Sequence, residues 1–191
     1  KLKFIHIGGT NGKGSTSSYI SYGLKAAGYK VGLFTSPHLE RYNESIQINH
    51  EDIPDNTFGR LMGVIREKAN IMVEEGSLHP TSFEIITALS FLYFLEEKAD
   101  YVVLEVGLGG RNDSTNIIST PLATVFTTID YDHIDVLGST LSEIAYEKAG
   151  IIKDDTIVIS YPQELDVQNV IQTVAKEKKA ELNICPIENI S

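Results

Sequence analysis

The segment FIHIGGTNGKGSTSSYI, residues 4–20, carries the residue types of a site that holds phosphate groups. An apolar run leads into a glycine-rich turn, Lys13 follows, and serine and threonine open a helical pattern. Glycines let backbone N–H groups fold around oxyanions, and the start of a helix adds partial positive charge. Lys13 supplies a cation for the outer phosphates, and the hydroxyl of Ser15 or Thr16 can reach a metal ion. The segment predicts a nucleotide site; the alternative is a plain strand–helix turn with a surface lysine.

The spelling of this turn departs from the common phosphate-loop pattern, G-x-x-x-x-G-K-[ST]. Lys13 is followed by Gly14, so Ser15 comes one position late, and Ile7 stands where the pattern begins with glycine. The order of strand, glycines, lysine and helix is still that of a phosphate loop. The motif by itself leaves the kind of nucleotide site open.

Glu105 ends an apolar run that begins at residue 101. Burying a carboxylate at the end of a sheet is costly unless a cation or hydrogen-bond donors compensate for it. Beside a phosphate loop, such a residue is expected to be an acidic metal ligand. The alternative is a local ion pair with Arg111 in the glycine-rich segment GLGGRND that follows.

Three further segments place polar side chains after apolar runs. Ser36 and His38 lie in TSPHLERYNE, which as a Ser-Pro segment also fits a simple turn. His133 lies among aspartates in DYDHIDVLG, and a histidine flanked by acids at a ligand edge favours a functional role. Lys148 lies near the end of a predicted helix, where a cation also complements the helix dipole.

Strand and helix patterns alternate along the chain and predict the elements that position these residues. The predicted strands cover residues 3–8, 30–35, 45–49, 101–106, 123–129 and 156–160. The predicted helices cover residues 15–27, 55–74, 81–97, 140–152 and 166–179. Asp55 is expected to cap the second helix, and Thr140 with Glu143 forms a capping box for the fourth.

This alternation predicts an α/β fold with a mostly parallel, doubly wound sheet. Ligands of such sheets bind at the carboxyl ends of the strands. The chemistry is therefore expected to gather just after Ile7, Thr35, Glu105 and Ile129.

Composition limits the classes of function. The chain of 191 residues suits one α/β domain, and its net charge of −10 argues against a nucleic-acid partner. The longest nearly apolar run, residues 85–95, is too short to span a membrane. Cys185 is the single cysteine, which excludes an internal disulfide and is typical of the reducing cytosol. We expect a cytoplasmic protein with no membrane partner.

Six motifs occur together in a fixed order. They are GTNGKGST (9–16), TSPHL (35–39), TSFE (81–84), EVGLGGRNDSTN (105–116), DHIDVLG (132–138) and EKAGIIK (147–153). The set resembles the folylpolyglutamate synthase / dihydrofolate synthase family of the Mur ligase superfamily, over residues 4 to about 160. The unusual turn is that family's form of the phosphate loop, within the P-loop NTPase-like central domain of Mur ligases.

The resemblance implies a monomeric ligase that uses ATP and Mg²⁺ to join L-glutamate to a folate or to dihydropteroate. The acid is first phosphorylated by ATP, and the amine of glutamate then attacks the acyl phosphate. Residues 1–191 are expected to form the ATP-binding domain, with the glutamate-binding domain absent from this chain. The alternatives are a nucleotide-binding fragment without ligase activity by itself, a simple ATPase or kinase, and another amide-forming Mur-type ligase, for example one acting on a cell-wall precursor.

The resemblance also implies roles for individual residues. The residues implied to bind ATP are Gly9, Thr10, Asn11, Gly12, Lys13, Gly14, Ser15 and Thr16. The implied Mg²⁺ ligands are Ser36, Glu105 and His133. The implied substrate wall on the pterin side consists of Thr35, Ser36, Pro37, Phe83, Asp113 and Ser114. The implied catalytic residues are Lys13, His133 and Lys148, and Lys148 is expected to be carbamylated by CO₂.

Overall fold

The computed structural model describes residues 2–186, which form one sheet of eight strands with helices packed against it. The strands are β1 (Phe4–Gly8), β2 (Val31–Phe34), β3 (Ile46–Ile48), β4 (Glu51–Asp52), β5 (Tyr101–Glu105), β6 (Ala123–Phe126), β7 (Ile157–Ser160) and β8 (Glu181–Ile184). The α-helices are α1 (Lys13–Ala26), α2 (Asp55–Glu74), α3 (Ser82–Glu96), α4 (Ile134–Leu137), α5 (Leu141–Ala149) and α6 (Leu165–Glu177). Short 3-10 helices cover Tyr42–Ser45 and Ser114–Ile117.

The sheet order is β4-β3-β2-β5-β1-β6-β7-β8. All pairs from β2 to β8 in this order are parallel, while β3 and β4 form an antiparallel edge. The prediction of a mostly parallel sheet is therefore confirmed. Because β2, β5, β1 and β6 are neighbours, the loops that follow these four strands meet at one edge of the sheet.

Helices cover both faces of this sheet. Val103 of β5 belongs to the apolar cluster that packs against Ile20 and Leu24 of α1. Its neighbours Val102 and Leu104 belong to a second cluster, built with α2 and α3. A third cluster joins β6 and β7 to α5 and α6. Since successive side chains of a strand point to opposite faces, a strand covered on both sides is a continuous apolar run, as β5 is up to Leu104.

Local sequence signals set the start of two helices. The Thr140 hydroxyl accepts a hydrogen bond from the Glu143 amide at 3.2 Å, and the Glu143 carboxylate accepts one from the Thr140 amide at 3.0 Å. This confirms the predicted capping box. Thr81 and Glu84 form the same arrangement at the start of α3.

The prediction that Asp55 caps α2 is wrong. Pro54 occupies the cap position with extended backbone, and Asp55 is the first helical residue. The Asp55 carboxylate pairs instead with Arg41 and accepts a hydrogen bond from the Asn43 side chain at 3.1 Å. A tertiary partner has thus taken the carboxylate that would otherwise serve the helix N–H groups.

Some elements differ from the sequence prediction. β6 ends at Phe126 rather than at residue 129, because the chain turns away and Thr128 bridges to Asn11. The sequence patterns did not predict β4, β8 or α4, which have only two to four residues each. Among the described residues, 2–186, no helix is long and apolar enough to cross a membrane.

Candidate active site

The turn between β1 and α1 has the backbone shape of a phosphate loop. Gly9 has φ 144°, and a Cβ atom there would lie 1.9 Å from the Thr127 hydroxyl, so a side chain cannot be accommodated. Gly12 has φ 81° in the left-handed region and caps α1, which begins at Lys13. The Thr10 amide donates to the Thr128 carbonyl at 2.7 Å, which fixes the loop to the chain after β6. The loop therefore leaves the first N–H groups of α1 free of side-chain caps.

The predicted ATP-binding residues follow one another at the carboxyl end of β1, with Gly9 buried and the other seven partly or fully exposed. Asn11, Gly12 and Ser15 are the exposed members. The Lys13 amine folds back and donates to the Thr10 carbonyl at 3.1 Å. This geometry keeps a cation over the loop, next to the helix start, where both attract phosphate oxygens.

Glu105 lies beside the phosphate loop, at the end of β5, and is only 4% exposed. Its carboxylate accepts a hydrogen bond from the Ser36 amide at 3.3 Å, and a Cβ atom on Gly14 would lie 3.6 Å from it. Burial raises the pKa of Glu105 to about 7, while the nearby charge of Lys13 acts in the opposite direction. Arg111 does not pair with it, because Arg111 approaches Glu147 at 3.6 Å and stacks on Tyr146.

Lys148 lies on the other side of the phosphate loop. Its side chain is 2% exposed and its amine donates to the Gly9 carbonyl at 2.9 Å. The same amine lies 3.8 Å from a carboxylate oxygen of Asp132. Burial, followed by the charge of Lys13, lowers the pKa of Lys148 to about 8, against the opposing effect of Asp132. Lys148 is in the last turn of α5, but its burial does not fit a surface cation that only complements the helix dipole.

His133 occupies a strained position at the start of α4, with φ 43°. Its side chain is 57% exposed, and its Nε2 lies 3.4 Å from Asp132. The described contacts therefore connect His133 to Lys148 through Asp132, and Glu105 to Ser36. Within residues 2–186, no group of three or more His, Cys, Asp or Glu side chains is arranged to hold a metal ion.

Five of the six residues predicted for the substrate wall line one or both of two cavities that share Phe83 and Leu108, and Asp113 and Ser114 also line a cavity of about 610 Å³ beside α2 and α3. Ser36, Pro37 and Phe83 contribute to a cavity of about 560 Å³, together with Gly107 and Leu108. Thr35 does not line this cavity, and its amide donates to the Ser45 carbonyl at 3.1 Å.

The second cavity has a volume of about 230 Å³, and Asp113, Ser114 and Phe83 all line it. The Asp113 carboxylate accepts hydrogen bonds from the Leu108 amide at 2.8 Å and the Thr115 amide at 2.9 Å. Phe83 and Leu108 are therefore shared by the two cavities, and Asp113 organises the backbone of the second.

Sequence reasoning missed several polar residues that brace this edge. In the sequence, Asp132 is one of three aspartates near His133, and nothing in the pattern distinguishes it from the other two. Asn116 donates to the carbonyls of Arg111 and Gly150 at 3.0 and 3.1 Å, which joins the Gly107–Ile117 region to the end of α5. His6 is fully buried within β1 and bonds to Thr115. The only signal for His6 is a polar residue in an apolar strand.

The parallel sheet and the phosphate loop at its carboxyl edge define a nucleotide-binding α/β domain of the phosphate-loop type. A family model, the Mur ligase middle domain, matches residues 7–184. The chain belongs to the Mur ligase family, in its folylpolyglutamate synthase / dihydrofolate synthase branch.

Individual relatives agree with this assignment. The chain is 43% identical over 181 residues to the dihydrofolate synthase/folylpolyglutamate synthase of Bacillus subtilis, which covers 94% of this chain and 42% of that protein. A solved FPGS–AMPPCP–folate complex matches with a TM-score of 0.92 and 38% identity, over 96% of this chain and 45% of the other. Mycobacterium tuberculosis folylpolyglutamate synthase complexed with ADP matches with a TM-score of 0.91 and 33% identity, over 96% and 42%. The chain thus spans less than half the length of these relatives.

Proposed function

We propose that this chain is the ATP-binding domain of a ligase that adds glutamate to a folate or to dihydropteroate through an acyl phosphate. The observation that carries the proposal is the pair of buried ionisable side chains, Glu105 and Lys148, on opposite sides of the phosphate loop. In this proposal glutamate is bound by a second domain that residues 1–191 do not include. The support from relatives is the name of the Bacillus subtilis protein and the AMPPCP and folate of the solved complex.

The phosphate loop supplies the nucleotide site in this proposal. The backbone N–H groups of residues 9–16 bind the phosphate oxygens, with the partial positive charge of the α1 start behind them. Lys13 neutralises charge on the transferring γ-phosphoryl group, where negative charge spreads over the oxygens in the transition state.

The donor set beside the loop fits a magnesium ion. Glu105 is a buried carboxylate with one amide donor from Ser36, and burial raises its pKa despite the opposing effects of Lys13 and of that amide. Mg²⁺ is commonly held by one or two carboxylates, with water and substrate phosphates completing its shell, so a three-carboxylate cluster is not required. Glu105, the Ser36 hydroxyl and His133 are the residues that would hold the ion. When bound, Mg²⁺ supplies charge neutralisation between the triphosphate and the attacking carboxylate.

The reaction explains why two anions must meet at this edge. A carboxylate cannot expel oxide, so its oxygen attacks the γ-phosphorus, ADP leaves, and the acid gains a phosphate leaving group. The neutral glutamate amine then attacks the acyl carbon, and the tetrahedral intermediate expels phosphate while the nitrogen loses a proton to solvent, which gives the amide. The role of this chain is to hold the phosphates and the acid in line, with Lys13 offsetting their repulsion.

The acid is held by the wall that contains Thr35, Ser36, Pro37, Phe83, Asp113 and Ser114. Phe83 lies between two cavities and offers an aromatic ring to a flat heterocycle. Asp113 offers a carboxylate, which accepts hydrogen bonds from amino groups of such a ring. Both features suit a pteridine better than a purely aliphatic acid.

Lys148 is carbamylated in the active enzyme under this proposal. The neutral amine attacks the carbon of CO₂, a C–O π pair moves to oxygen, and a proton leaves the nitrogen to solvent, giving a carbamate anion. Burial and the lowered pKa of Lys148 support this, because they increase the neutral fraction of the amine near neutral pH. The product is a carboxylate-like anion suited to a second Mg²⁺.

The proposal is tested by measuring ADP formation in the full-length ligase. We expect ADP only when ATP, a folate or dihydropteroate, and glutamate are all present. ADP formed at the same rate without glutamate would identify an ATPase or kinase instead.

The chain covers less than half the length of these relatives, and this leads to a further expectation for the isolated chain. The 191-residue protein alone is expected to bind Mg·ATP weakly in calorimetry and to add no glutamate to a folate. Measurable ligation by the isolated chain would contradict the assignment of glutamate to another domain.

A further inference from the structure

His6 is a polar residue in the most central part of the fold. It lies in β1, between β5 and β6, and is fully buried. Its Nε2 atom lies 2.8 Å from the Thr115 hydroxyl, which comes from a loop 109 residues further along the chain. A buried imidazole at this position has to be satisfied by a specific partner, because an apolar residue would fill the same space without a desolvation cost.

The direction of the hydrogen bonds follows from the partners. The Thr115 hydroxyl donates its one proton to the Asp113 carboxylate, which can only accept. The hydroxyl oxygen must then accept from His6, so the His6 proton is on Nε2. Burial, assisted by the charge of Lys153, lowers the pKa of His6 to about 3, so the ring is neutral. Its Nδ1 is then a bare acceptor, and it has no partner among residues 2–186.

The chain of hydrogen bonds ends on a residue of the proposed substrate wall. Besides the Thr115 hydroxyl, the Asp113 carboxylate accepts the amides of Leu108 and Thr115 at 2.8 and 2.9 Å. Two carboxylate oxygens offer about four acceptor positions, so three are used internally and one is left for a ligand. The orientation of the Asp113 carboxylate decides where that last position points.

We propose that His6 is a positioning residue for the substrate acid, acting through Thr115 to fix the carboxylate of Asp113 in the Leu108–Thr115 loop. This rests on the proposed function, in which Asp113 faces the heterocycle of the acid. His6 touches neither substrate nor nucleotide and acts only through the hydroxyl. Loss of its donor leaves the hydroxyl oxygen without a buried partner and lets the hydroxyl turn away from Asp113, which loosens one of the three bonds to the carboxylate, weakens binding of the acid and leaves the phosphate loop unchanged.

The first test does not depend on ligase activity. In ¹⁵N spectra of histidine-labelled protein, the signal lost in His6→Gln is expected to show a protonated Nε2, a bare Nδ1 and slow proton exchange. In His6→Leu and Thr115→Val, the Leu108 amide is expected to exchange with solvent at least about tenfold faster, since one member of its supporting network is gone. A protonated Nδ1, or unchanged Leu108 exchange in both variants, would overturn the proposal.

The second test separates positioning from general damage to the fold. In the full-length ligase, His6→Leu and Thr115→Val are each expected to raise KM for the folate or dihydropteroate about tenfold, with KM for ATP and kcat within about twofold. His6→Gln and Thr115→Ser, which keep a donor and a hydroxyl, are expected to retain most of the binding. The double variant His6→Leu/Thr115→Val is expected to have the same KM for the acid as Thr115→Val alone, because both substitutions interrupt the same series of hydrogen bonds.

Thr124→Val is the matched control. Thr124 lies next to His6 in register on β6 and is equally buried, but its hydroxyl bonds to the Ile151 carbonyl and not to Asp113. It is expected to lose stability without a selective rise in KM for the acid. An equal rise of both KM values in His6→Leu, or the same selective rise in Thr124→Val, would overturn the positioning role. If the wild-type protein forms no ADP from the three substrates, the proposed function fails, and the exchange of Leu108 still decides the role of His6.

Discussion

The phosphate-loop side of the site and the Gly107–Ile117 region differ in how many partners their polar and charged side chains have. Beside the phosphate loop, Glu105 and Lys148 are buried with few partners. Burial raises the pKa of Glu105 and lowers the pKa of Lys148, so it favours the neutral form of both groups. In the Gly107–Ile117 region, the Asp113 carboxylate and the Asn116 amide donors are occupied by backbone groups of the same chain. On the first side, ionisable groups remain for a ligand to pair with. On the second, most hydrogen-bonding positions are already occupied by the protein itself.

This difference indicates two ways of preparing a site. A buried group without a full counter-charge costs stability in the free protein and is relieved when a cation or phosphate binds. A carboxylate that holds three donors within its own loop fixes a shape before the ligand arrives, which lowers the entropy cost of binding. We therefore expect substitutions on the first side to change catalysis, and substitutions on the second to change affinity and local stability.

The largest effect is expected for Lys13→Ala in the full-length ligase. Its amine lies over the phosphate loop, and its loss removes a charge from the transferring phosphoryl group, so kcat is expected to fall roughly 10²–10³-fold. Lys25→Ala is the control, because Lys25 is exposed at the other end of α1 and donates to the Asn49 carbonyl. A kcat for Lys13→Ala within about threefold of wild type, about 0.65 kcal/mol of barrier, would contradict the loop assignment.

Lys148→Ala is expected to lower turnover roughly 100-fold or more while the enzyme stays folded. If Lys148 acts as a carbamate, small carboxylic acids are expected to restore part of the activity, and wild-type activity is expected to fall in CO₂-depleted buffer and return with bicarbonate. Lys176→Ala is the control. It removes a cation from the last turn of α6 and is expected to lower the free energy of unfolding by only a few tenths of a kcal/mol. A fully active Lys148→Ala, or a bare amine in a high-resolution map of the metal-bound enzyme, would refute the carbamate.

The pH dependence of stability tests the burial of Glu105. Its pKa is 4.5 in the unfolded reference and about 7 in the fold, so between these values the folded protein holds a proton that the unfolded chain has lost. Stability without metal or nucleotide is therefore expected to fall as pH rises from 4.5 to about 7, by roughly 3 kcal/mol in total, since the slope is at most about 1.4 kcal/mol per pH unit. Urea unfolding at pH 5 and pH 8 measures this, and Glu105→Gln is expected to remove that part of the slope. An equal slope in the variant would show that other groups cause it.

The smallest effect is expected for Asp113→Asn. The amide can replace only one carboxylate oxygen and presents N–H groups to the Leu108 amide, so stability is expected to fall by about 1 kcal/mol. Faster exchange of the Leu108 amide and a higher KM for the acid are expected with it. Asp100→Asn is the control, because Asp100 accepts the Lys30 amide at 2.8 Å far from the site. If both variants change Leu108 exchange alike, the loop is not held by Asp113.

The order of elements and the position of the phosphate loop could be predicted from the sequence because their causes are local. The capping box of Thr140 and Glu143 depends on two residues that are three positions apart. The apolar run of β5 indicates by itself a strand that is covered on both faces. The glycines and Lys13 lie in one short segment, so their spacing alone predicts an anion site. The failure at Asp55 has the opposite origin, since Arg41 and Asn43 reach its carboxylate from another segment.

What the sequence determined by itself is therefore the longer strands and helices, the phosphate loop between β1 and α1, and the family its motifs resemble. The tertiary structure alone decided which distant side chains share a buried space. Lys148 reaches the Gly9 carbonyl across 139 residues, and His6 reaches Thr115 across 109. Such pairs leave no periodic signal, because a hydrogen bond between remote segments depends on strand order and register. The strand order that sets β1 between β5 and β6 arises from packing of the whole chain.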